Sequence, residues 1–158
     1  MKNVIKQLIS FILPVTVLIL VPLYIEKNIT VRFVPALLPG LVFICMGLSV
    51  MALTILTFIR IGKGTLAPWS PTRKLVTGGM YGHVRNPMIM GVLTVLVGES
   101  LAIGSWNIFT WAITFFIINN VYFVLYEEPI LEKKFGDEYR EYKSHVPRWI
   151  PRLKPFKP

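Results

Sequence analysis

From Val34 to Ile59 the chain runs 26 residues without a charged side chain, and from Pro87 to Tyr126 a further 40 residues carry only Glu99. About 20 consecutive apolar residues match the hydrocarbon thickness of a bilayer, so runs of this length point to membrane-spanning helices. The remaining charges, 16% of 158 residues, are bunched between the runs, whereas a soluble domain spreads charge over about a quarter of its residues. The expectation is an all-α membrane protein forming one domain over residues 1–158, because no segment outside the apolar runs could build a core of its own.

Four transmembrane helices are expected, at about 4–25, 34–59, 87–103 and 106–126, followed by a C-terminal amphipathic helix from about Pro129 to Ser144 and a tail. The first run is too long for a signal peptide and lacks a small-residue cleavage site. Gly104-Ser105 leaves room only for a tight turn, so the third and fourth spans form an antiparallel hairpin. Fifteen Lys and Arg residues fall at the N-terminus, in the loop 60–86 and after residue 126, against Lys27 and Arg32 on the other side. By the positive-inside rule both termini and the middle loop are cytoplasmic.

The net charge of +9 is what that rule requires, with attraction to anionic headgroups besides, and no helix-turn-helix, zinc-finger or RNA-binding pattern points to nucleic acid. Cys45 is read as a small buried residue, and His83 and His145 are too isolated to form a metal site. Glu99, near the far end of a short span, is expected to snorkel to the outer surface, and Asn119 and Asn120 to hydrogen-bond between helices.

The chemistry gathers at the mouth of the hairpin. Tyr81-Gly82-His83-Val84-Arg85-Asn86-Pro87 precedes it and Glu127-Glu128-Pro129 follows it, so both emerge on one side of the membrane at one depth. Asn86 and Pro87 suit an N-cap and the first turn of a helix, and the same helix start, with Arg85 beside it, suits an anion such as a carboxylate. Leu75-Val76-Thr77-Gly78-Gly79 reads as an extended piece entering a glycine turn, where backbone can approach a ligand closely. The Glu pair has two readings: acidic residues opening the amphipathic helix, or carboxylates neutralising an ammonium or sulfonium.

Gly62 to Pro68, Leu75 to Tyr81, Val84-Arg85-Asn86-Pro87-Met88 and Gly91, followed by Glu127-Glu128-Pro129, Leu131, Phe135-Gly136, Tyr139, Tyr142, Val146-Pro147 and Ile150-Pro151, resemble the isoprenylcysteine carboxyl methyltransferase and phospholipid methyltransferase superfamily. The resemblance covers roughly residues 60–153 and implies an integral-membrane enzyme that transfers methyl groups from S-adenosylmethionine to a lipid or small apolar acceptor at the cytoplasmic face. It implies that Lys74, Leu75 and Val76 line the nucleoside, that Tyr81 and His83 wall the pocket, that Asn86, Pro87, Met88 and Ile89 lie under the methionine end, and that Glu127 meets a polar group of the cofactor. Arg85 or the helix start would then meet the cofactor carboxylate, the Glu pair its ammonium and sulfonium, and Glu128 is the candidate base for an amine acceptor. Two positions depart from the family pattern. Ile89 stands where an aromatic is usual, and Phe123 stands where isoprenylcysteine enzymes tend to carry a cation, which weakens prenylcysteine as the acceptor and leaves amino-phospholipids or other apolar nucleophiles open. The alternatives are a membrane reductase of sterol-reductase-like architecture using NADPH, for which Arg73 and Lys74 are a thin supply of cations, and a non-catalytic membrane protein with a vestigial pocket.

Overall fold

The computed structural model describes residues 13–26, 34–62 and 74–156; the start of the first expected span, residues 27–33 with Lys27 and Arg32, residues 63–73 with Lys63, Trp69 and Arg73, and residues 157–158 with Lys157 lie outside them. The described chain is helical, with no strand. Helix α1 covers Leu13–Ile25, α2 Val34–Gly62, α3 Pro87–Ile103, α4 Trp106–Phe135 and α5 Asp137–His145; a single 3-10 turn, Gly79–Gly82, lies before α3. Two helices, α2 over Val34–Thr57 and α4, are long and apolar enough to cross a bilayer, while α1 and α3 are apolar but shorter.

The α4 helix differs from its expected form. It does not stop at Tyr126; it continues through Glu127, Glu128 and Pro129 to Phe135. A proline inside a helix clashes with the carbonyl four residues back. Here that carbonyl belongs to Leu125, inside a widened π-turn over Phe123–Glu127 that makes room for the ring. Pro22 in α1 uses the same device, with Leu18 inside the π-turn Thr16–Leu20. The expected C-terminal amphipathic helix is therefore split. Its first half is the end of α4, and its second is α5, which begins after Gly136 at φ +57°, a left-handed conformation that favours glycine.

Helices α2 and α3 lie antiparallel with backbone against backbone. A Cβ on Gly40 would sit 2.6 Å from the Ala102 nitrogen, and one on Gly47 2.6 Å from the Gly91 oxygen; reciprocally, a Cβ on Gly98 would sit 2.7 Å from the Gly40 oxygen. Within lipid, helix association comes from close packing rather than from hydrophobic burial, and small residues permit it. Val17, Met51, Val92, Val95, Leu96, Ala112 and Phe115 fill the core beside this seam.

At the far end, Gly104 in a left-handed conformation ends α3 and the Ser105 hydroxyl caps α4 by accepting from the Ile108 N–H. The same hydroxyl donates to Glu26 at 2.6 Å. Glu99 does not snorkel free: its Oε2 is buried with no hydrogen-bond partner and it lines, with Glu26, a cavity of about 240 Å³. Nor, among the described residues, do the asparagines bridge helices. Asn119 bonds back to the Phe115 carbonyl, and Asn120 accepts from Trp149 and Arg148 of the tail.

Gly47→Leu should cost roughly 1–3 kcal/mol of stability by overpacking and so lower the unfolding midpoint in detergent; an unchanged midpoint would mean that α2 and α3 do not touch there.

Candidate functional site

The hairpin mouth brings the two polar clusters together. Arg85 Nη1 lies 2.8 Å from Glu128 Oε1, across 43 positions in sequence. Glu128 is buried and holds two further cations: Arg148, whose Nη2 and Nε reach Oε1 at 2.6 and 2.7 Å, and Lys143, whose Nζ lies 3.1 Å from Oε2. One carboxylate thus ties together the start of α3, the end of α4, helix α5 and the tail. Burying a charge is sustained only when its partners are close and its lone pairs are taken up. Arg85 is not wholly satisfied, because its Nε is buried without a hydrogen-bond partner.

Glu127, the next residue, is half-buried and carries no hydrogen bond or ion pair among the described residues. Neighbouring residues on a helix point about 100° apart, so Glu128 turns into the ionic cluster while Glu127 turns elsewhere. It lies near Tyr81, whose phenol is pushed up first by burial and then by the Glu127 charge. Burial and the Glu128 charge push Tyr139 up to about 12, and burial raises Tyr142 as well. These phenols stay protonated and can donate: Tyr142 does so to the Tyr81 carbonyl at 2.8 Å.

The tail runs antiparallel to the loop and straps it down. Arg85 N–H donates to the Pro147 carbonyl, Arg152 N–H to His83, and Phe156 N–H to Gly82. His83 Nδ1 donates to the Arg152 carbonyl at 2.7 Å, which fixes the ring. Below the strap, Tyr139, Tyr142 and Val146 form a second core, against which Leu75, Leu131, Phe135 and Phe156 pack. Between the end of α2, the glycine turn and the tail opens a cleft of about 520 Å³, whose lining includes Leu53, Thr57, Gly78, Gly79, His83 and Phe156.

Of the residues expected at the site, Tyr81, Arg85, Glu127 and Glu128 converge at the mouth, and His83 lines the cleft. Leu75 packs against the second core, Val76 beside it is buried, and Lys74 is exposed. Pro87 opens α3 and is buried, whereas Asn86 stands at the cap position without a side-chain capping bond. Met88 is half-buried, and Ile89 packs on the bundle core. Sequence reasoning missed Lys143 and Arg148 as partners of Glu128. The available signal was a carboxylate pair followed by a strongly basic tail. It also missed the contribution of Leu53 and Thr57 from α2, for which an apolar run offers no local signal. Among the described residues, no three His, Cys, Asp or Glu side chains converge as a metal site would require.

Glu128→Gln should cost roughly 3–5 kcal/mol of stability, since it strands three cations in a buried cluster. Glu127→Gln should leave the melting midpoint unchanged or slightly higher, because it removes a like charge. Equal losses in thermal melts of the two variants would overturn this division.

Comparison with known proteins gives three matches. A family model described as phospholipid methyltransferase matches residues 36–138, well over half of the chain. An uncharacterized protein of Haemophilus influenzae is 38% identical over 63 residues, 40% of this chain and the whole of that relative. The protein-S-isoprenylcysteine O-methyltransferase of Schizosaccharomyces pombe is 32% identical over 80 residues, 49% of this chain but 33% of the yeast enzyme. No solved structure matches.

Proposed function

Since the chain belongs to the phospholipid methyltransferase family, we propose that it moves a methyl group from S-adenosylmethionine to a lipid or small apolar acceptor at the cytoplasmic face of the membrane. The observation that carries this reading is the unequal state of two adjacent carboxylates. Glu128 is saturated by Arg85, Lys143 and Arg148, while Glu127, near Tyr81, has no hydrogen bond or ion pair among the described residues.

A methionine end is zwitterionic and its sulfonium adds a further positive charge. The groups with spare capacity at the mouth fit that pattern: Glu127 for a cation, and the orphaned Arg85 Nε for a carboxylate. Tyr81 and His83 would wall the pocket, and the Lys74-Leu75-Val76 strip with the glycine turn would hold the nucleoside through backbone groups. Asn86, Pro87, Met88 and Ile89 would lie under the methionine end at the start of α3.

When bound, the cofactor supplies an electrophilic methyl on a sulfonium. The protein's part is positioning and exclusion of water, which carry the rate of a direct displacement. Glu128 is better suited to positioning than to proton removal, because its lone pairs are committed to three cations. Arg85 acts beside it, holding the start of α3 against α4. If the acceptor is an amine, Glu127 is the carboxylate with capacity to take its proton. Phe123 is buried under Trp149, so no cation meets a substrate carboxylate at that position. This favours an amino-phospholipid or other apolar nucleophile over a prenylcysteine. The cytoplasmic placement rests on the Lys and Arg asymmetry.

Calorimetry in detergent should show binding of S-adenosylmethionine and its demethylated product but not NADPH, with affinity lowered at least about tenfold, or 1.4 kcal/mol, by Glu127→Ala. Radiolabel should then pass from the methyl donor into a lipid extract. NADPH binding in its place would favour the reductase reading, and donor affinity unchanged in Glu127→Ala would sink this one.

A further inference from the structure

The tail that straps the loop also carries two large apolar side chains that the protein leaves bare. Ile150 is 78% exposed and Leu153 is 97% exposed. This is not the looseness of a free end, because the backbone around them is pinned. Trp149 donates from Nε1 to Asn120 Oδ1 at 3.0 Å, and its ring packs 4.9 Å from Phe116 and 5.8 Å from Phe123. Beyond it, the Arg152 and Phe156 N–H groups bond to the loop, and Arg152 Nη1 donates to the His145 carbonyl. Ile150 and Leu153 are therefore held outward.

The anchor of Trp149 ties the start of this segment to α4. Its partners Phe116, Asn120 and Phe123 lie on α4 before Tyr126, the last residue of the apolar run. At a rise of about 1.5 Å per residue, Asn120 is about 9 Å inside that boundary. The Trp149 indole thus reaches past the end of the apolar run, so the residues that follow it leave from the level of the headgroup and acyl boundary, where interfacial segments bury their apolar face by some 5–10 Å. The charged residues between Tyr142 and Pro158 are all Lys or Arg, and Arg152 and the exposed Lys154 flank Leu153.

We propose that residues 149–154 form a membrane-surface anchor selective for anionic lipid, in which Ile150 and Leu153 enter the acyl boundary while Arg152 and Lys154 meet headgroup phosphates. Hydrophobic insertion supplies the contact and the cations supply the preference for negative lipid. The strap over His83 and Arg85 is thereby tied to the bilayer itself. The anchor does not depend on the reaction proposed above.

The full chain in lipid nanodiscs tests this. In a Cys45→Ala background, Leu153→Cys carries an environment-sensitive fluorophore, and Glu138→Cys on the exposed face of α5 serves as the aqueous reference. In discs containing phosphatidylglycerol, a nitroxide on a shallow acyl carbon should quench the Leu153 label several-fold more than aqueous iodide does, with the reverse at Glu138. Discs of phosphatidylcholine alone, or Lys154→Glu, should shift the Leu153 label toward iodide. Iodide quenching at Leu153 equal to that at Glu138 would overturn the anchor. So would protection from both quenchers, the mark of a contact with a second copy, or indifference to anionic lipid.

Discussion

The arrangement at the hairpin mouth depends on one buried carboxylate. Glu128 accepts from Arg85, Lys143 and Arg148, three cations brought from three different parts of the chain. Desolvating such a cluster is costly, and it holds only while every member is in place. That interdependence converts an ionic contact into a geometric one. The start of α3, helix α5 and the tail cannot shift independently without stranding a charge. One residue away Glu127 shares the helix but not the cluster, and among the described residues it carries no hydrogen bond or ion pair, which is the basis of the role proposed for it.

The ionic cluster can form only because the helices bring its members to one level. The glycines of α2 and α3 let the two backbones touch, and Gly104 with Ser105 returns the chain directly into α4. The π-turn at Phe123–Glu127 then lets α4 run on past Pro129, so that Glu127 and Glu128 stand on a rigid helix rather than in a loop. Precise sites benefit from rigid supports. The tail completes the arrangement by pinning His83 and Arg85 from above through its own backbone.

Much of this was legible in the chain. Hydropathy and charge bunching marked the apolar runs, and the short Gly104-Ser105 turn was enough to place Arg85 opposite the Glu pair. The resemblance of the loop and tail pointed to the superfamily that the family match supports. Other features were not legible, for physical reasons. A proline ordinarily ends or kinks a helix, so the continuation of α4 through Pro129 required the compensating π-turn, which leaves no trace in hydropathy. Asn120 reads as an interhelical polar residue, yet its partners come from Arg148 and Trp149, on a tail with no periodicity. Which of two adjacent glutamates is spent on structure cannot be told from composition, since the answer depends on where Lys143 and Arg148 arrive in space.

The most direct test of this division of roles is amide hydrogen–deuterium exchange of the detergent-solubilised protein with and without S-adenosylmethionine. The cofactor should slow exchange in residues 75–85 and 146–156 together, because the strap joins them, and Glu127→Gln should abolish that protection without changing exchange of the free protein. Exchange unaltered by the cofactor, or protection that survives in Glu127→Gln, would contradict the assignment of Glu127 as the carboxylate reserved for the ligand.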